Sequence, residues 1–373
     1  MKINKSIKLQ NIFGKKLIFL IFVLLLAISL PSNLTAQHEE DTHEKTEKKF
    51  KPGPFIFDHI ADSYEWHIFT VGETHISLPL PIILYSKSKG LNVFMSSKFH
   101  HGHDVYKGFK IELEETSKNK GKIVELMGNG DFEKPLINIS ITKNVVALFF
   151  SVALMLFIFI SVANAYKKNK GQAPKGMQSF FEPLILFVRD DIAKASIQNK
   201  PEKYMPYLLS IFFFIVLNNL LGLIPILPGG ANLTGNITIT LALAVFTFVI
   251  TTVKGNKAYW THIFNAPGVP WWLKIPVPLM PVVEIVGMFT KPFVLMVRLF
   301  ANITAGHIIA LGFYSLIFIF GEKNIFAGYG ISIVSILFTV FMMVLELLVA
   351  FIQAYVFTLL SALYFGMATE EHH

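Results

Sequence analysis

The chain has no cysteine, which excludes disulfides, thiolate metal sites and cysteine nucleophiles outright. Charge is also scarce: 16% of residues are charged and 53% hydrophobic, with 36 Phe among 373 residues. That is too apolar for a soluble domain of this length, and it reads as a polytopic membrane protein. No glycine loop of the GxxxxGK[ST] type occurs, so the chain is not expected to be an enzyme by itself. No internal repeat divides it into halves, as a secondary transporter with a midplane site would show. His307 is the one histidine clearly inside an apolar run, which argues against axial haem ligation; no cofactor is expected.

The charges present are unevenly placed. The formal net charge is +8, yet Lys and Arg gather in loops beside apolar runs and form no aromatic-interleaved basic face, so membrane topology explains them better than nucleic acid. Lys2, Lys5, Lys8, Lys15 and Lys16 precede the apolar run Leu17 to Leu30, which leads into Leu34-Thr35-Ala36 and a polar stretch. This order is that of a cleavable signal peptide over 1–36, the run being short for a span of about 20 residues. Residues 37–144 then read as a small β-rich extracytoplasmic domain, with alternating segments at Glu65 to Val71, His75 to Tyr85 and Phe109 to Glu114. The region holds eight of the 12 histidines. His100, His101 and His103 have a spacing that a metal could use, but a solvated loop is the favoured reading and no metal is expected.

Five apolar stretches follow over 145–373: Val145 to Ala165, Tyr207 to Leu227, Ile237 to Val253, Val282 to Phe320 and Ile331 to Gly366. The fold class is therefore an all-α polytopic membrane protein behind a β-rich N-terminal domain. Between the first two stretches, Phe181, Leu184, Ile185, Val188 and Ile192 fall at helical spacing, which predicts an interfacial helix near 178–197. That loop also carries Lys167, Lys168, Lys170, Lys175, Arg189, Lys194, Lys200 and Lys203, whereas Pro228 to Gly235 carries no charge. The positive-inside rule puts the former in the cytoplasm. The expectation is a multi-pass membrane protein with its N-terminal domain exported and its C-terminus cytoplasmic.

As single helices the last two stretches would be roughly 58 and 54 Å long, against a hydrocarbon core of about 30 Å, so both must tilt, bend or extend outside. Pro292 removes a backbone donor and offers a place to bend. Their polar residues are few: Glu284, Lys291, Arg298, Asn302 and His307 on one arm, Glu346 and Gln353 on the other. Ionisable groups at such depth are functional candidates. In an antiparallel pair, residues at equal depth have numbers with a constant sum. His307 with Glu346 and Arg298 with Gln353 nearly share one, which predicts those two pairings. Arg298 cannot lose its proton, so its use is electrostatic. His307 and Glu346 can pass protons near neutral pH. Glu284, roughly 21 Å from Arg298 along the helix, suits a route to the opposite side.

The run RLFANITAGH, Arg298 to His307, with ELLVAFIQAYVF, Glu346 to Phe357, resembles the a subunit of F-type ATP synthases. The likeness extends over Phe180 to His373, through FFEPLILFVRDDIA, NNLLGLIP and VVEIVGMFTKPFVLMVRLFAN. It implies a stator with two offset half-channels that deliver protons to the carboxylates of a rotating ring. The essential arginine matches Arg298, the following asparagine Asn302, and the glutamine of the last helix Gln353. Many bacterial members carry Glu at the position of His307 and His at that of Glu346; mitochondrial members resemble this chain. An acidic residue often found in the second crossing has Gly222 in its place, so Asn218, Asn219 and Asn236 are expected along the outer route, with interhelical hydrogen bonding as their competing role. Lys291 is expected along a half-channel too. The implied partners are the c ring, the b subunits of the peripheral stalk, the catalytic head through the complex, and membrane lipid. The N-terminal domain is similar only to that of extended bacterial forms.

Overall fold

A computed structural model describes residues 50–373 apart from 72–73, 115–116, 118, 128–131, 170, 225–229, 265–278 and 371–373. The expected signal peptide lies outside the described residues.

The N-terminal region opens with a helix α1 (Pro52–Ile60), with Pro at the start where its missing N–H costs nothing. Eight short strands follow: β1 (Glu65–Val71), β2 (Thr74–Pro79), β3 (Pro81–Ser86), β4 (Gly90–Met95), β5 (Phe109–Ile111), β6 (Ile123–Leu126), β7 (Phe132–Glu133) and β8 (Ile137–Asn138). They form three antiparallel sheets, β1-β2, β4-β3-β8 and β5-β6-β7. The alternating segment His75 to Tyr85 is two strands in different sheets. Pro79 and Pro81 cannot donate to a ladder, and Leu80 between them bonds to Ser96 instead, through its N–H and its carbonyl. Ile82, Leu84, Phe94, Phe99, Phe109 and Ile123 make the core of this region. Helix α1 is the element that sequence reading left within a linker.

Five helices long and apolar enough to cross a membrane follow, and the fold expected from the sequence holds. They are α2 (Lys143–Lys168), α4 (Met205–Leu223), α5 (Ile237–Lys254), α7 (Leu279–Lys323) and α8 (Ile325–Thr369). Helices α4 and α5 are about 28 and 27 Å long and match a bilayer core; α7 and α8, at about 68 Å each, exceed it twofold. The amphipathic helix α3 (Met177–Phe187) runs on into a π-helical turn, Val188–Lys194. The wider turn sends Val188, Ile192 and Ala193 inward and leaves Arg189, Asp190 and Lys194 outside. There Arg189 and Lys194 hold the Asp190 carboxyl well below the usual range.

Beyond α5 the chain makes a short helix, α6 (Lys257–Phe264), that sequence reading left as loop. The Asn256 side chain caps it by accepting from the Tyr259 N–H at 2.8 Å. Phe212, Phe213, Phe357 and Phe365 fill the membrane core. Ala350, Ala354 and Ala362 are buried on the face that α8 turns inward, because small residues let helix backbones approach closely.

Candidate functional site

The site is built on the α7–α8 hairpin. Asn324 makes the turn and caps α8 by accepting from the Phe326 N–H at 2.9 Å. Gly328 lies against Gly321 so closely that a Cβ would come within 2.8 Å of the Gly321 Cα. This tight start sets the register of everything deeper in the pair.

Two polar contacts cross between the helices. His307 Nδ1 lies 3.2 Å from Glu346 Oε1, as the register predicted. Farther from the turn, Asn302 Nδ2 donates to Gln353 Oε1 at 2.8 Å. The expected pairing of Arg298 with Gln353 is thereby corrected: Asn302, one turn nearer the hairpin turn, takes Gln353, and Arg298 stays exposed on the side of α7. Gln353 is 2% exposed and its Nε2 has no acceptor within the described residues. The Glu346 carboxylate rests over Gly306, where a Cβ would collide with it, so only glycine at 306 admits this position.

Two cavities flank this segment of α7. One, of about 150 Å³, is lined by Asn219, Leu223, Asn302, Gly306, His307 and Glu346 among others. The second, of about 180 Å³ and farther from the hairpin turn, is lined by Tyr259, His262, Glu284, Met288, Lys291 and Glu370 among others. A narrow gap beside it is bounded by Thr247, Thr251, Lys291 and Tyr364. Lys291 Nζ stands 5.5 Å from the centre of the Tyr364 ring, and the Arg298 charge is within electrostatic reach of the Tyr364 hydroxyl. Arg298 lies between the cavities in sequence along α7 and lines neither.

Asn219 and Lys291 thus border cavities; Asn218 and Asn236 do not. Asn218 folds its amide back onto the Phe214 carbonyl of its own helix at 2.7 Å. Asn236 caps α5, accepting from the Thr238 N–H at 2.9 Å. Asn219 borders the cavity, donates to the Ala350 carbonyl at 3.2 Å, and accepts from Thr234 at 2.6 Å. Gly222 faces His307: a Cβ there would sit 3.9 Å from His307 Nε2.

Sequence reading missed Tyr259, His262, Tyr364 and Glu370. The register could have found two of them. Lys291 with Tyr364 has the same sum of residue numbers as the bonded Asn302 and Gln353, and Glu284 with Glu370 falls one short of it. In the N-terminal region, His101 pairs with Glu65 at 2.7 Å and His100 pairs with Asp104. Among the described residues no group of three His, Asp or Glu side chains could hold a metal ion.

Residues 145–366 match the family described as ATP synthase A chain. Residues 55–143 match a domain family of unknown function. A protein named ATP synthase subunit a from Chloroherpeton thalassium is 45% identical over 243 residues, which cover 63% of this chain and 69% of that one. ATP synthase subunit a 2 of Prosthecochloris aestuarii is 48% identical over 239 residues, with 62% and 69% covered. ATP synthase subunit a of Myxococcus xanthus is 41% identical over 244 residues, with 64% and 75% covered.

Proposed function

The chain belongs to the ATP synthase A chain family, and from that membership we propose that it is the proton-translocating stator of an ATP synthase membrane sector, with Arg298 separating two half-channels. The observation that carries this is the order along α7: a cavity with Glu284 and Lys291, then exposed Arg298, then a cavity with His307 and Glu346. A permanent cation between two water-sized spaces keeps protons from passing straight through.

The partner this geometry suits is a ring that carries one carboxylate per subunit past the exposed face of α7. Beside Arg298 such a carboxylate is stabilised as the anion and gives up its proton. Moving on to apolar surroundings, it takes one back, because burial disfavours charge. His307 and Glu346 pass protons on one side of Arg298 and Glu284 on the other. A histidine in the route suits protons better than sodium. Each charge crossing contributes about 2.3 kcal/mol per 100 mV, so several are needed for each ATP, which a repetitive ring supplies.

The basic loop between α2 and α4 supports a topology in which Glu284 lies on the cytoplasmic side and the N-terminal domain outside a bacterial inner membrane. The b subunits of the peripheral stalk hold the chain still against the ring, and synthesis of ATP belongs to the catalytic head. The test is ATP-driven acidification of inverted vesicles carrying Arg298→Ala, with ATP hydrolysis by the attached head checked beside it. Acidification is expected to vanish with assembly intact; normal pumping would overturn the reading.

A further inference from the structure

We propose that the N-terminal β region is a strut that holds the two walls of the outer proton route at a fixed separation, with Trp66 and Phe55 as its positioning residues. This rests on the proton reading above and assigns work to a region whose family has none.

One wall of the outer cavity is α4, through Asn219 and Leu223, and residues 230–236 back that wall through the Thr234 bond to Asn219. Ala231, Asn232, Leu233 and Thr234 are each less than a tenth exposed, which is unusual for a connection that would otherwise lie at the surface. Trp66 of β1, 5% exposed, covers Ala231 and Leu233 together with Ala147 of α2. Thr234 then holds Asn219 at 2.6 Å. The Ala231 carbonyl stands 3.7 Å from where a Gly222 Cβ would be, on the atom that faces His307. Gly222 therefore lies between the covered loop and His307.

The other wall is α7, through Asn302, Gly306 and His307, and the helix continues from there to Phe318 and Glu322. Helix α1 lies on it: the rings of Phe50 and Phe55 meet Phe318 at 5.1 and 6.3 Å, and the Phe50 N–H donates to Glu322 at 2.7 Å. Between these two grips the chain is fastened to the start of α2. The Lys143 N–H donates to the Ser63 carbonyl at 2.9 Å, Lys143 Nζ to the His59 carbonyl at 3.2 Å, and the Asn144 N–H to Asp62 at 3.2 Å. One small region thus grips both walls and a third helix, and the walls enclose His307 and Glu346. Neither α4 nor residues 230–236 carry a charged side chain, so the ionisable side chains at this cavity are His307 and Glu346, which share it with Asn219, while Arg298 lies deeper on α7.

The assembled complex in sealed vesicles provides the test, with ATP synthesis driven by an imposed gradient while each side's pH is varied in turn. Trp66→Ala is expected to lower the rate about two- to tenfold and to shift the dependence on outer pH while leaving that on cytoplasmic pH in place; Trp66→Phe is expected to restore most of both. Because Trp66→Ala also loosens packing, a second measurement joins Phe55→Cys to Phe318→Cys with a short bismaleimide, in a chain with no native cysteine. A fixed strut predicts that the bridged complex works within about twofold of wild type. An unchanged outer-pH profile in Trp66→Ala, or a bridge that abolishes synthesis, overturns the strut. Arg298→Ala in the same vesicles separates the two ideas: if it pumps normally the proton reading itself is lost.

Discussion

Asn302 donates a 2.8 Å hydrogen bond to Gln353 Oε1 across the α7–α8 hairpin, and this bond sets Arg298 free. Gln353 is already held by Asn302, and Arg298 is exposed, with no hydrogen-bond acceptor for its guanidinium among the described residues. Asn302→Leu is expected to leave both ends of the Gln353 amide unpaired in a buried site. The cost expected is about 1 kcal/mol, the scale of interhelical hydrogen bonds in membranes. Asn302→Leu combined with Gln353→Leu removes both polar groups and is expected to cost less than the two single changes added together. Thermal unfolding in nanodiscs measures this, and strict additivity would show that the pair is not coupled.

Asn256 joins two elements that no sequence pattern connects. Its side chain starts α6, its N–H donates to Ala368 at 2.9 Å, and its Nδ2 donates to the Glu370 carbonyl at 2.6 Å. Asn256→Ala is expected to destabilise this corner by about 1 kcal/mol, the usual worth of a helix cap. Amide exchange over Lys257–Phe264 should then quicken while exchange in α4 does not change. Equal protection in both proteins would show the cap to be idle.

The membrane helices were legible because hydrophobic runs of this length have few other meanings, and the hairpin register because two polar pairs were numbered consistently. His307 with Glu346 came out as read; Gln353 was given to Arg298 instead of Asn302 because the two candidate sums lie equally far, two below and two above, from that of His307 and Glu346. Helices α1 and α6 were hidden for a different reason. Each is under ten residues long, starts from a local signal, and is held by contacts to residues far away in sequence: Phe318 for α1, Ala368 and Glu370 for the corner of α6. The capping role of Asn236 has its own sequence signal, an asparagine directly before an apolar run.

Glu125 of β6 makes the N-terminal region sensitive to acid. Burial pushes its carboxyl up, but hydrogen bonds from Ser86 at 2.5 Å and from Ser88, with the Lys89 ammonium at 3.5 Å, outweigh burial and hold it below its ordinary value. A carboxyl depressed in the folded state adds stability above the unfolded-state value, near 4.5, and loses it as pH falls through the folded value. Amide protection of Phe109–Ile111 and Ile123–Leu126 is therefore expected to be flat near neutrality and to fall in acid. Glu125→Gln should lower protection at neutral pH and flatten the acid fall. An acid fall of the same size in Glu125→Gln would assign the sensitivity to another group.

Gly306 tests whether the His307–Glu346 contact matters for turnover. A methyl at 306 would occupy the place of the Glu346 carboxylate. Glu346 is a flexible side chain, so the helices need not part: the carboxylate moves, and the 3.2 Å contact with His307 is broken. Gly306→Ala is therefore expected to leave assembly and head ATPase intact while lowering proton pumping about tenfold or more, since reacting groups misplaced by about 1 Å lose that much. Adding Glu346→Asp, one methylene shorter, withdraws the carboxylate from the new methyl and should recover part of the rate. Acidification of inverted vesicles reads both variants. Pumping at the wild-type rate in Gly306→Ala would mean that the carboxylate can work from elsewhere in the cavity, and that its seat over Gly306 is incidental.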